Sequence, residues 1–388
     1  MAKEFGFTAD NYIFVSGKFI TMEYIVSARK YRPSTFQSVV GQHSITTTLK
    51  NAVKNSQLAH AYLFCGPRGV GKTTCARIFA KTINCSNVSA DFEACNTCES
   101  CRSFNENRSY NIHELDAASN NSVDDIRSLI DKVRVPPQMG RYSVYIIDEV
   151  HMLSQSAFNA FLKTLEEPPR HAIFVLATTE KHKILPTILS RCQIFDFNRI
   201  TIQDAVEHLK YVASSEQITA DENGLNVIAQ KADGAMRDAL SIFDQIVAFS
   251  GKNITYQNVI DNLNVLDYEV FFSITDALLA GDYKQSLLKF DDVLRKGFDA
   301  QHFLSGLTSH FRDLMVCKDA VTIQLMDVGA SIRETYKQQA AKSPIDFLFE
   351  AIDVVSKYEL DYRLARNKRL HVEFCLLKLS RLISEKKK

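Results

Sequence analysis

Apolar runs and helical periodicities alternate along the first half of the chain. His60 to Phe64 is a short apolar run leading into a glycine-rich segment, and Thr73 to Thr82 then has helical spacing with no breaker. A strand is expected around Ile112 to Leu115. A helix is expected over Ser122 to Val133, with Ser122 as N-cap, Asp124 and Asp125 in the first turn, and Pro136-Pro137 as the stop. Tyr142 to Ile147 is continuously apolar, as suits a strand buried on both faces. Ser154 to Glu167 places Phe158, Phe161, Leu162 and Leu165 on one helical stripe, and Pro168-Pro169 end it. Ala172 to Ala177 is a further buried strand. Alternation of this kind predicts a parallel α/β sheet covered by helices, with ligands at the carboxyl ends of the strands.

The texture changes after Arg199. Residues 201–262 predict several short helices with breaks near Asn223-Gly224 and Gly234. Residues 267–384 predict a longer all-helical region, and Pro344 is the one proline beyond Pro186.

Chemistry enters between the first strand and its helix. Gly66-Pro67-Arg68-Gly69-Val70-Gly71-Lys72-Thr73 has the spacing of a phosphate-binding loop, with Thr74 following. Glycines let the backbone wrap phosphate oxygens, and successive N–H groups and the helix N-terminus face the anion. Lys72 is expected to reach the β and γ phosphates of ATP, and Thr73 to hold Mg²⁺. Asp148, ending a buried strand, fits the acid that supports Mg²⁺. Glu149 is placed to polarise the attacking water. Thr178 and Thr179 end the next strand, where a hydroxyl could meet the γ-phosphate.

Cys85, Cys95, Cys98 and Cys101 follow the phosphate-loop helix, as two overlapping C-x-x-C pairs and one remote cysteine. Four thiolates can close a tetrahedral, structural Zn²⁺ site. An iron–sulfur cluster and free thiols are the alternatives. Cys65, Cys75, Cys192, Cys317 and Cys375 are scattered, as small core residues are.

Composition narrows the class. The 388 residues allow two or three domains, and 46% hydrophobic with 23% charged residues suits a globular protein. No run approaches the length of a membrane span, and the N-terminus lacks the order of a secretory signal, so a cytoplasmic protein with reduced thiols is expected. A net charge of +1 gives no global case for nucleic-acid binding, so any DNA contact must be local. Met22 opens a second plausible start, which makes residues 1–21 an expected extension, dispensable or poorly ordered.

These pieces, in this order, resemble the gamma/tau subunits of bacterial DNA polymerase III, the ATPases of the sliding-clamp loader. The resemblance runs from Met22 to about Ile383. It rests on Ala28-Arg29-Lys30-Tyr31-Arg32-Pro33, Val39-Val40-Gly41-Gln42, the phosphate loop, the four cysteines and Asp116-Ala117-Ala118-Ser119. Ile147 to Leu153, Leu165 to Pro169, Ser190-Arg191-Cys192 and Gly234 to Leu240 complete it. It implies an AAA+ P-loop ATPase domain with an inserted zinc module (22–199, the module about 85–101), a helical lid (200–264) and an all-α collar (265–388). It also implies roles: Thr178 as first sensor, Arg191 as an arginine finger acting on a neighbour's ATP, and Arg237 as second sensor. The implied partners are other clamp-loader subunits and copies of this chain through the collar, the sliding clamp, and primer–template DNA. Nothing marks a nucleotidyl-transfer site, so any polymerase activity is expected of the holoenzyme. The rival classes are a non-hydrolysing clamp-loader subunit and another AAA+ motor acting on DNA. Two departures stand out. Asn120, Asn121 and Ser122 occupy positions that are often basic in the family, and the chain ends at the collar, as in the short gamma-like form.

Overall fold

The computed structural model describes residues 12–15, 18–21, 25–137, 140–263, 265–326 and 328–386. They fall into two compact units, residues 1–212 with 232–245, and residues 213–231 with 246–388. The elements of the 200–264 segment divide between them. Within the N-terminal extension, β1 (Tyr12–Val15) and β2 (Lys18–Thr21) pair as an antiparallel hairpin. The expectation that residues 1–21 are dispensable or poorly ordered otherwise lies outside the described residues.

The first unit continues through α1 (Ser27–Lys30), α2 (His43–Lys54), β3 (Ala61–Cys65), α3 (Lys72–Ile83), α4 (Glu99–Asn105), β4 (Ile112–Asp116) and α5 (Val123–Val133). Then come β5 (Ser143–Asp148), α6 (Gln155–Glu166), β6 (Ala172–Thr178), α7 (Pro186–Leu189) and β7 (Gln193–Asp196). The strands form one parallel sheet in the order β4-β5-β6-β3-β7. Both faces are covered, which explains the continuous apolar runs. Tyr62, Phe64, Val144, Ile146 and Val175 meet Ile78 and Phe79 of α3 on one face. Leu63, Tyr145, Ile147, Phe174 and Leu176 meet Ile126 of α5 and Phe158 and Phe161 of α6 on the other.

Local signals set the ends of these elements. Ser122 caps α5 in a capping box with Asp125, and the Ser154 hydroxyl accepts from Ala157 N at the start of α6. Strand β7 escaped the sequence reading, because only Phe195 of its four residues is buried and an edge strand carries little apolar signal.

Helices α8 (Ile202–Ser215), α9 (Glu222–Lys231), α10 (Met236–Ser250) and α11 (Tyr256–Leu263) follow. Two-residue parallel strands, β8 (Thr219–Ala220) and β9 (Asn253–Ile254), lie among them. The break expected near Asn223-Gly224 falls just before it, between Ser215 and Glu222, and α9 itself runs through Gly224. Gly224 is there for close packing: a Cβ would lie 3.1 Å from Val259 Cγ2 of α11. The break at Gly234 is real, with φ +77° and a Cβ position only 2.6 Å from the Arg199 Cβ.

The second unit is completed by α12 (Tyr268–Ala280), α13 (Tyr283–Arg295), α14 (Ala300–Val316), α15 (Ala330–Lys342), α16 (Ile345–Asp361) and α17 (Lys368–Lys386). Asp267, Asp282 and Asp299 cap α12, α13 and α14. Phe271, Phe290, Phe303, Phe311 and Phe347 anchor its core.

Candidate nucleotide site and cysteine cluster

Strand β3 delivers the chain to the glycine loop, and α3 leaves it one residue after Gly71. Gly66, Gly69 and Gly71 all have positive φ, at 145°, 77° and 103°. A Cβ on Gly66 would collide with the Phe197 carbonyl, so the loop closes only with glycine there. Val70 is buried beneath the loop. Lys72 is 5% exposed, and its ammonium donates to the Gly66 and Pro67 carbonyls at 2.8 and 2.7 Å. Burial lowers its pKa, and Glu149 and Asp148 oppose that shift.

Strand β5, separated from β3 by β6, supplies the acids at its carboxyl end. Thr73 Oγ1 donates to Asp148 Oδ2 at 2.6 Å, so both expected Mg²⁺ ligands face one spot. Glu149 sits in left-handed backbone at φ 47°. Its carboxylate accepts from Thr179 N at 3.3 Å and from Thr179 Oγ1 at 3.1 Å, and lies 3.5 Å from His151 Nδ1. Thr178 is fully buried. Its hydroxyl meets His151 Nδ1 at 3.0 Å and accepts from Glu180 N. Of Thr178, which ends β6, and Thr179, which follows it, Thr179 is the one that touches an acid of the site.

A cleft of about 790 Å³ opens above the loop, lined by Gly69 to Thr74, Asp148 and Glu149. Arg237 lines it too, brought there by the turn at Gly234, and its Cβ backs onto Gly69. The sequence reading assigned no role to Arg32, which also lines the cleft and donates through Nε to Thr74 Oγ1 at 3.2 Å. Burial and then the nearby Arg77 lower the Arg32 pKa, against Glu114 and Asp148. Its only sequence signal was membership of the Ala28–Pro33 motif, because a partner 42 positions away gives no spacing clue. Cationic Arg29, Arg32, Arg68, Lys72 and Arg237 face Asp116, Asp148 and Glu149 across this cleft. That pairing suits a polyanion held with a divalent cation, and the donors present fit ATP and Mg²⁺.

Arg191 is not brought to the cleft. Its guanidinium donates to Glu166 at 2.8 Å and to the Thr187 carbonyl at 2.6 Å, at the protein surface.

The sulfurs of Cys85, Cys95, Cys98 and Cys101 all lie within 4.8 Å of one another, and Cys85 and Cys98 are 3.9 Å apart. Tetrahedral zinc with bonds of about 2.3 Å places its sulfurs about 3.8 Å apart, so the cluster fits Zn²⁺. The Asn96 and Thr97 turn between two ligands is tightened by left-handed backbone at Asn96, φ 59°. The module folds back onto the α/β core. Glu93 accepts from Phe36 N, Gln37 N and Lys50 Nζ at 2.9, 3.1 and 2.7 Å. Arg77 of α3 lies 4.8 Å over the Phe104 ring. The remaining cysteines divide as small core residues do: Cys65, Cys75 and Cys375 are buried, Cys192 and Cys317 partly so.

No helix among the described residues is long and apolar enough to cross a membrane.

Family models match the chain from residue 41 to residue 388. Residues 41–201 match the family described as DNA polymerase III, delta subunit. Residues 204–252 match the ATPase lid domain of DNA polymerase III clamp loader subunits, and 254–388 match domain III of subunits gamma and tau. The chain is 41% identical to DNA polymerase III subunit tau of Bacillus subtilis over 92% of its length and 63% of that protein. It is 36% identical to the tau subunit of Escherichia coli, covering 55% of it. It thus spans about half to two thirds of those longer relatives. Against DNA polymerase III subunit gamma of Buchnera aphidicola from Baizongia pistaciae it is 34% identical, over 93% of this chain and 98% of that one. A match across nearly the full length of a gamma subunit, together with the phosphate loop and cysteine cluster in their expected places, means that this chain belongs to the DNA polymerase III gamma/tau family.

Proposed function

We propose that this chain is an ATP-hydrolysing motor subunit of a clamp loader, coupling ATP binding and hydrolysis to placement of a sliding clamp on primed DNA. The observation that carries this is the convergence of Lys72, Thr73, Asp148, Glu149 and Arg237 on one cleft. The loop N–H groups of Gly69 to Thr74 and the α3 N-terminus bind the phosphates, and Lys72 exchanges its two carbonyl partners for phosphate oxygens. Thr73 and Asp148 hold Mg²⁺, which neutralises charge on the phosphate oxygens when bound. Glu149 orients water and takes its proton at the carboxylate, once freed from Thr179. Thr178 holds His151 behind Glu149, and Arg237 meets the γ-phosphate in cis.

Arg191 acts in trans. Its surface position, outside its own cleft, supports a finger that completes a neighbour's site and so ties hydrolysis to assembly. Residues 22–199, 200–264 and 265–388 serve as ATPase domain, lid and collar, and the collar joins this chain to copies of itself and to other subunits. The four cysteines hold a structural Zn²⁺. Primer–template DNA is approached by the loop at Asn120, Asn121 and Ser122 through amide, hydroxyl and backbone donors rather than basic side chains.

Reconstitution with candidate clamp and partner subunits tests the reading. Clamp loading on primed DNA should require ATP and fail with Lys72→Ala. Loading that proceeds without ATP would return the chain to the non-hydrolysing class.

A further inference from the structure

Lys81 is an anomaly on α3. It is 3% exposed, and burying an ammonium is costly unless a counter-charge sits nearby. Its one hydrogen bond among the described residues goes to a neutral acceptor, Asn96 Oδ1, at 2.7 Å. Asn96 lies within the C-x-x-C turn between Cys95 and Cys98. Lys81 stands in the last turn of α3, which ends at Ile83, two residues before Cys85. No carboxylate pairs with it among the described residues. The groups that most favour its charge are Cys101, then Glu93 and Cys85.

We propose that Lys81 is the buried counter-ion of the four-cysteine cluster and sets how tightly that cluster holds zinc. A zinc ion held by four thiolates carries a net double negative charge. In a water-poor site that charge is unfavourable unless a fixed cation neutralises part of it. Lys81 supplies the cation from the helix that begins at the phosphate loop. Asn96, which accepts from Lys81, ties that cation to the turn between Cys95 and Cys98. The inference rests on the zinc reading of the cluster, and it makes Lys81 a positioning residue for the metal, not a ligand.

The test is zinc affinity of the full chain, measured by competition with a chromophoric chelator. Wild type should bind about one zinc per chain. Lys81→Met, which keeps the length and removes the charge, should weaken zinc binding by about 10–100-fold. Lys81→Arg should stay within a few-fold of wild type. If the methionine variant does not fold, Lys81→Gln retains a hydrogen-bonding head against Asn96 and should show the same loss. Wild-type affinity in the neutral variants would overturn the proposal. So would equal weakening in Lys81→Arg, since charge would then not be the cause. A wild-type chain that binds no zinc would instead remove the zinc reading beneath it.

Discussion

Thr73 Oγ1 donates to Asp148 Oδ2 at 2.6 Å, joining the first turn of α3 to the end of β5. Two side chains 75 positions apart in sequence are thus aimed at the same cation position. Glu149, the next residue, is turned by its left-handed backbone so that its carboxylate meets Thr179 rather than Thr73. The acid that would hold magnesium and the acid that would activate water are therefore separated by conformation, not by distance along the chain.

Glu149→Gln keeps the size of the side chain and its contact with Thr179 but removes the proton acceptor. Hydrolysis should fall by about 10²–10⁴-fold with ATP binding retained. Single-turnover hydrolysis and nucleotide binding measured side by side check this; wild-type turnover in the variant would exclude Glu149 as base.

Arg191→Ala removes a surface ion pair with Glu166, worth at most about 1 kcal/mol, so folding and ATP binding of the isolated chain should persist. In the assembled complex, stimulated hydrolysis should drop by about 10³-fold or more. Equal stimulated rates for variant and wild type would refute the finger assignment.

Gly234 turns the chain so that Arg237 reaches the cleft, with a Cβ position 2.6 Å from the Arg199 Cβ. Gly234→Ala should cost about 1–3 kcal/mol of stability and weaken ATP binding together. A melting curve and an ATP titration of the variant report both. Unchanged affinity would show that Arg237 does not depend on this turn.

His310 is buried between Tyr336 and Gln339, 3.0 Å from each. Burial pushes its pKa down to about 3. At neutral pH it is uncharged in both folded and unfolded chains, so no penalty applies. As pH falls below its unfolded value of about 6.5, the unfolded chain takes up the proton and the folded chain does not. Stability should therefore fall by up to about 1.4 kcal/mol per pH unit from this residue alone. Urea unfolding at pH 7 and pH 5.5 should show a smaller acid loss for His310→Gln than for wild type; equal losses would exclude His310 as a source.

Much of this was legible in the sequence because the governing signals are local. The apolar run from Ala61, the glycine loop and the proline stops each act over a few residues, as do the caps at Ser122 and Ser154. The cysteine spacing likewise anticipated a four-sulfur cluster. What escaped depends on long-range placement. Strand β7 is an edge strand with one buried residue, and Gly224 is a packing glycine whose reason is Val259 on another helix. Arg32 and His151 join the site only once the sheet and the turns beside it exist. The return of Glu93 to Phe36 and Gln37 likewise has no sequence signature.

The central claim is that this one cleft hydrolyses ATP. Phosphate release by the complex, stimulated by clamp and primed DNA, tests it most directly in wild type and Lys72→Ala. Wild type should show stimulated turnover, and the variant should lose it together with ATP affinity. The same release rate in both would contradict it.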